Sequence, residues 1–112
     1  MEPLGFLLRT NYHGWSNSIW MSNGQVEAIV VPEIGRVLQF RFAGETEGPF
    51  WENESLYGKA PDSESTTWMN FGGDKVWPAP QSGWQHIAPT NWPPPVGFDA
   101  TPVEADINGW EV

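Results

Sequence analysis

The sequence has no cysteine, few basic residues and no long apolar run. Without cysteine there is neither a disulfide frame nor a thiolate metal site, so stability must come from burial or from a partner. Five lysines and arginines stand against fourteen acids, giving a formal net charge of −9 over 112 residues. That surface potential repels phosphate backbones and anionic lipid, which argues against nucleic acid and acidic membrane as partners. No stretch is long and apolar enough to span a bilayer as a helix. The start, MEPLGFLLRTNYHGW, carries an acid at position 2, and its apolar run is only Phe6, Leu7 and Leu8. That run is too short for the hydrophobic part of a signal peptide, so the expected location is cytoplasmic unless a leader precedes this start.

What is present is aromatic and punctuated: eight tryptophans, twelve glycines and eleven prolines. The mixture is too aromatic for a disordered tail and too interrupted for ordinary helices, so an all-β or loop-rich single domain is expected. Ser18 to Ser22 (SIWMS), the dipeptide Asn23-Gly24 and Gln25 to Val31 (QVEAIVV) read as a hairpin closed by a type I′ turn. Pro32-Glu33-Ile34-Gly35 breaks the ladder, because proline has no N–H to donate and glycine tolerates positive φ. Arg36 to Ala43 (RVLQFRFA) then alternates, with Phe40 and Phe42 on one face and Gln39 and Arg41 on the other. Phe50-Trp51-Glu52 is expected as a short fourth strand, which completes a meander over 18–52. From 53 to 95 periodicity disappears into a Pro/Trp-rich loop region, longer than structureless connections usually are. Pro102 to Asp106 and Asn108-Gly109 predict the start of a C-terminal hairpin over 101–112. Its second arm would have three residues, so an incomplete domain is expected. Because these strands do not provide a second full sheet, homo-oligomerisation or a missing C-terminal part of the same protein is expected to cover the meander.

The stretch NFGGDKVWPAPQSGW is the richest in chemistry. Gly72-Gly73 permits a tight turn that aims Asp74 and Lys75 outward. Sugars present rows of hydroxyls and one apolar C–H face, so their pockets combine hydrogen-bonding side chains with flat aromatic rings. Asp74, Lys75 and Gln81 supply the first, Trp77, Trp84 and Trp92 the second, and His86 lies in the same loop. The alternative is that these tryptophans only pack, as a lid on the core, and that Asp74 and Lys75 form a solvated pair. Other chemistry finds no support. There is no phosphate-binding glycine loop, no nucleophile elbow around Ser16, Ser18 or Ser82, and no metal spacing around His13 or His86. Glu45, Glu47, Glu52, Glu54 and Glu64 lack calcium-loop spacing and read as a solvated face. Asp74 and Glu52 remain open as a pair of carboxylates of the kind that hydrolyses glycosides. No metal and no cofactor is expected.

The run VEAIVVPEIGRVLQFRFAG resembles the opening of galactose-mutarotase-like proteins, and FWENE resembles the segment that follows there. GGDKVWPAPQ, the later GW, and WPPP with FDATP resemble an uncharacterised bacterial branch of the same superfamily. The resemblance spans about 20 to 104, and such domains run to more than twice this length. It implies the N-terminal part of an antiparallel β-sandwich, a partial supersandwich, with a long Pro/Trp-rich loop. It also implies a carbohydrate ligand. The glutamate base and histidine acid of aldose epimerases come from later parts of the chain, and WQHIAPT around His86 does not match. Lys75 lies loosely where those enzymes place a sugar-binding arginine. No residue of this chain is therefore assigned a catalytic role. The expectation is a carbohydrate-binding portion of a mutarotase-like protein. The alternatives are a fragment of a sugar epimerase or polysaccharide-processing enzyme catalysing with residues beyond Val112, and a non-binding structural β module.

Overall fold

The computed structural model describes residues 5–88 and 92–108. Its regular structure is mostly β: four strands, β1 (Phe6–Tyr12), β2 (Trp15–Ser22), β3 (Val26–Val31) and β4 (Arg36–Phe42), form one antiparallel sheet in sequence order. No helix among the described residues is long and apolar enough to cross a membrane.

β1 was not anticipated from the sequence, and the reason is physical. It is an edge strand, with Leu8, Arg9 and Asn11 exposed, so it needs no clean apolar alternation. It joins β2 through His13-Gly14, with Tyr12 paired directly to Trp15. Both linking residues have positive φ, 51° and 101°, so this is a type I′ turn. The Asn23-Gly24 hairpin forms as expected, but its turn is of another kind. His13 is the only described non-glycine residue with positive φ, which excludes type I′ at Asn23. Instead Asn23 Oδ1 accepts from the N–H groups of Gln25 and Val26 at 2.9 and 3.0 Å, an Asx turn. Pro32–Ile34 makes one 3-10 turn closed by Gly35 at φ 63°. A side chain on Gly35 would also meet the carbonyl of Thr101, so both backbone and space demand glycine there.

β4 carries a bulge. Ile29 pairs with Gln39 but Val30 pairs with Val37, leaving Leu38 as an extra residue. Phe40 and Phe42 do share a face, as the alternation indicates, yet it is the open one: they are 47% and 68% exposed. The covered face carries Gln39 with Leu38, Ile29, Val31 and the ion pair of Glu27 with Arg41 at 2.7 Å.

What covers that face is the irregular half of the chain. The core joins Trp15, Ile29, Val31, Ile34 and Leu38 of the sheet region to Phe71 and Ala100. Burying a side chain such as Phe71 contributes about 1.5–3 kcal/mol, so the loop region is a structural layer of its own. Within it lie 3-10 turns at Glu54–Leu56 and Gln81–His86 and one helical turn, Val96–Asp99.

Two expected elements are replaced. Phe50-Trp51-Glu52 is not a strand, and only an isolated bridge links Glu52 to Gly72. The side-chain amide of Gln39 acts as the missing partner, donating to the Phe50 carbonyl at 3.0 Å and accepting from its N–H at 3.1 Å. The expected hairpin at 101–112 is also absent over residues 101–108, while Gly109–Val112 lie outside the described residues. Residues 101–106 instead form a strap along the sheet. Val103 N–H donates to Pro32 at 2.9 Å, and Arg9 donates to the Ala105 carbonyl at 2.7 Å.

Candidate functional site

The tryptophans singled out in the sequence come together, but around a buried acid. Asp99 and Arg36 pair at 3.4 Å with both side chains 3% exposed. Asp99 also accepts the indole N–H of Trp68 at 2.8 Å and that of Trp77 at 3.0 Å. Arg36 reaches the Gly72 and Asp99 carbonyls as well, so one charge pair fastens β4, the 68–77 segment and the helical turn together. The rings then meet edge to face, Trp77 with Trp84 at 5.4 Å, Trp68 with Trp92 at 4.9 Å and Trp84 with Phe98 at 5.4 Å. These spacings are those of mutually packed aromatic rings.

Each expected binding residue can be placed against this cluster. Trp84 is wholly enclosed and donates to the Pro78 carbonyl at 2.8 Å, which corrects its expected role: it has no free face for a sugar. Trp77 is half-buried and held through its indole N–H. Trp92 remains about half exposed. Lys75 lies 5.7 Å over the Trp68 ring, and burial together with the Arg36 guanidinium holds its amine below the ordinary lysine range. Asp74 is exposed on the wall of a cleft of about 410 Å³ whose lining is largely apolar, with Val30, Val37, Val76 and Phe98. Gln81 and His86 are exposed at the two ends of their 3-10 turn. The expected loop site is thus divided between a packed aromatic cluster, a separate cleft and open surface.

The polar side chains converge elsewhere, on Glu52. The Tyr12 hydroxyl donates to Oε2 at 2.8 Å, Gln39 Nε2 donates to the same oxygen at 2.6 Å, and the Tyr57 hydroxyl donates to Oε1 at 2.8 Å. The Glu52 side chain is only 9% exposed, and His13 Nε2 stands 4.0 Å from Oε1. The His13 ring lies flat on Tyr57 at 4.1 Å, with planes 2° apart, and edge-on to Tyr12 at 4.3 Å. Burial, followed by hydrogen bonding to Glu52 and its negative charge, pushes both tyrosine hydroxyls well above their ordinary range. Both therefore remain donors at every ordinary working pH.

Local structure explains the convergence. The β4 bulge turns Gln39 inward, and the type I′ turn carries His13 in a conformation unusual for a residue with a side chain. Asn53 caps the 3-10 turn that delivers Tyr57, its Oδ1 accepting from Ser55 N–H at 3.1 Å. Above Glu52 opens a cleft of about 550 Å³ whose walls include Trp51, Phe50, Glu47 and Glu54, with Trp51 60% exposed. Asp74 and Glu52 line different clefts, so the carboxylate pairing left open by the sequence is not formed.

Of these residues the sequence pointed to Glu47, Glu52 and Glu54 as a dispersed acidic run, and to Glu52 as an open carboxylate partner for Asp74. Tyr12, His13 and Gln39 sit where pairing depends on a turn and a bulge, Tyr57 follows a 3-10 turn in the irregular region, and no local pattern announces their convergence. Among the described residues no group of acids and histidines is arranged to hold a metal ion. Compared with protein-family models, with curated proteins and with solved structures, the chain has no significant match.

Proposed function

We propose that this chain is the carbohydrate-binding portion of a mutarotase-like protein, and that the sugar occupies the cleft over Glu52. The observation that carries this reading is the Glu52 carboxylate, held by Tyr12, Tyr57 and Gln39 at the floor of an open cleft beside the exposed Trp51 ring. A hydroxyl-rich ligand needs fixed hydrogen-bonding groups next to an aromatic face, and this cleft supplies both. The partial supersandwich belongs to the same proposal. Met21, Phe40 and Phe42 leave the outer face of the sheet apolar and open, as a face would be that a second sheet covers.

A second reading, that the chain is a structural β module, is favoured by the Asp99-centred packing of Trp68, Trp77 and Trp84. Calorimetric titration of the full chain with neutral oligosaccharides separates the two. Under the proposal Trp51→Ala weakens binding about fivefold, the equivalent of roughly 1 kcal/mol of aromatic contact, while Trp92→Ala leaves it within twofold. The opposite pattern would move the site to the tryptophan loop. No heat with any sugar would leave the structural module.

A further inference from the structure

The cleft over Glu52 has a strongly one-signed lining. Glu47, Glu52 and Glu54 contribute three carboxyl groups, while among the described residues His13 is the only side chain of the lining that can carry a positive charge. The nearby guanidinium of Arg41 is already committed to Glu27 at 2.7 Å and to the Thr46 carbonyl at 3.1 Å. Glu52 itself offers unused acceptor capacity. A carboxylate has about four acceptor positions. Among the described residues Oε2 takes two donors, whereas Oε1 takes only the Tyr57 hydroxyl, with His13 Nε2 too distant at 4.0 Å to fill the place.

We infer that the ligand of this cleft is a sugar bearing a free amino group, whose ammonium is drawn to Glu52 Oε1 and the rim carboxylates while its ring lies on Trp51. This rests on the cleft being a sugar site. An ammonium is a group of three donors and no acceptor, which suits a lining rich in acceptors. The exposed Trp51 favours it further, since the face of an indole attracts a cation. A uronic sugar would bring a fourth negative charge into a cleft that has three acids already. A neutral sugar would leave Oε1 with an ordinary hydrogen bond where a charge-assisted one is available.

The test is calorimetric titration of the full chain at mildly acidic pH with three tetrasaccharides of glucosamine, glucose and galacturonate, and with a lysine-containing tetrapeptide. The glucosamine oligomer is expected to bind at least about tenfold tighter than the glucose oligomer, the ratio that one charge-assisted hydrogen bond supplies at the low end of its range. Galacturonate should bind most weakly of the three. The preference for glucosamine should shrink with added salt and in Glu54→Gln, whose carboxylate makes no hydrogen bond to either tyrosine. Glu52→Gln should abolish the preference, with circular dichroism showing whether the fold survives; if it does not, Glu54→Gln and the salt series decide. Equal affinity for glucosamine and glucose, or tightest binding of galacturonate, would overturn the inference and leave the sugar site standing. Tight binding of the peptide without binding of glucosamine would overturn it in favour of a protein ligand. Absence of binding by all four would remove the sugar site together with the inference.

Discussion

Asp99→Ala is the sharpest perturbation the fold offers. Asp99 and Arg36 are each 3% exposed and stand 3.4 Å apart, and two indole N–H groups end on the same carboxylate. The substitution strands a buried guanidinium and both indoles. Breaking a buried ion pair from one side costs about 3–5 kcal/mol. Each stranded indole N–H adds about 1–3 kcal/mol if it stays dry. The terms overlap, because a loosened loop admits water to all three donors at once, so the expected total is about 4–5 kcal/mol. Against a typical domain stability of about 5–15 kcal/mol this is a large share. Urea unfolding followed by circular dichroism and by tryptophan emission measures it. The emission should shift to the red before the far-ultraviolet signal is lost, since Trp68 and Trp77 are released first. Arg36→Met combined with Asp99→Asn should cost less than Asp99→Ala alone, because the uncompensated charge is gone and one indole keeps an acceptor. A loss below about 1 kcal/mol for Asp99→Ala would refute the view that this acid organises the loop, and would return the tryptophans to the role of ligand platform.

Three further outcomes follow from the covered face and its opposite. Tyr12 and Tyr57 have hydroxyls raised above the unfolded value of about 10, so their contribution to stability is complete below that pH. As pH rises beyond it the unfolded chain loses protons that the native chain retains, and stability should fall by up to about 1.4 kcal/mol per pH unit for each tyrosine. Tyr12→Phe and Tyr57→Phe should each flatten this alkaline slope, and an unchanged slope in urea midpoints taken between mildly and strongly alkaline pH would contradict the assignment. On the sheet itself, Phe42→Thr at a position 68% exposed should change stability by no more than about 0.5 kcal/mol. Leu38→Ala, beneath the bulge and fully buried, should cost about 2–5 kcal/mol in the same urea experiment.

The meander from β2 to β4 and the break at Pro32–Ile34 were legible because they rest on local signals: a turn dipeptide, β-branched residues and a proline. The first strand was not, since an exposed edge leaves little pattern, and the primed turn belongs to His13-Gly14 although Asn23-Gly24 is the commoner signature. The tryptophans were visible as unusual. Their environment was not, because it is set by Asp99, which is distant in sequence and unremarkable in its flank FDA. Gln39 stood in plain view on an alternating strand, and it was assigned to the face opposite the phenylalanines, which is correct, without any local sign that this face is the buried one.

The bulge at Leu38 decides that last point. Counting inward from Arg36 without an extra residue, Leu38, Phe40 and Phe42 would all point to the covered face, with Gln39 and Arg41 in solvent. One additional residue reverses every side chain beyond it, so Gln39 and Arg41 enter and the two rings leave. Hydrophobic burial alone favours the opposite choice, since each phenylalanine kept out forgoes about 1.5–3 kcal/mol. Inside, the incoming groups are almost fully matched: Arg41 on Glu27, and Gln39 on both Glu52 and the Phe50 peptide. The same slip therefore builds the floor of the Glu52 cleft and bares the outer apolar face. On the proposed reading, this local departure from good packing is the cost of assembling a connected polar site around Glu52.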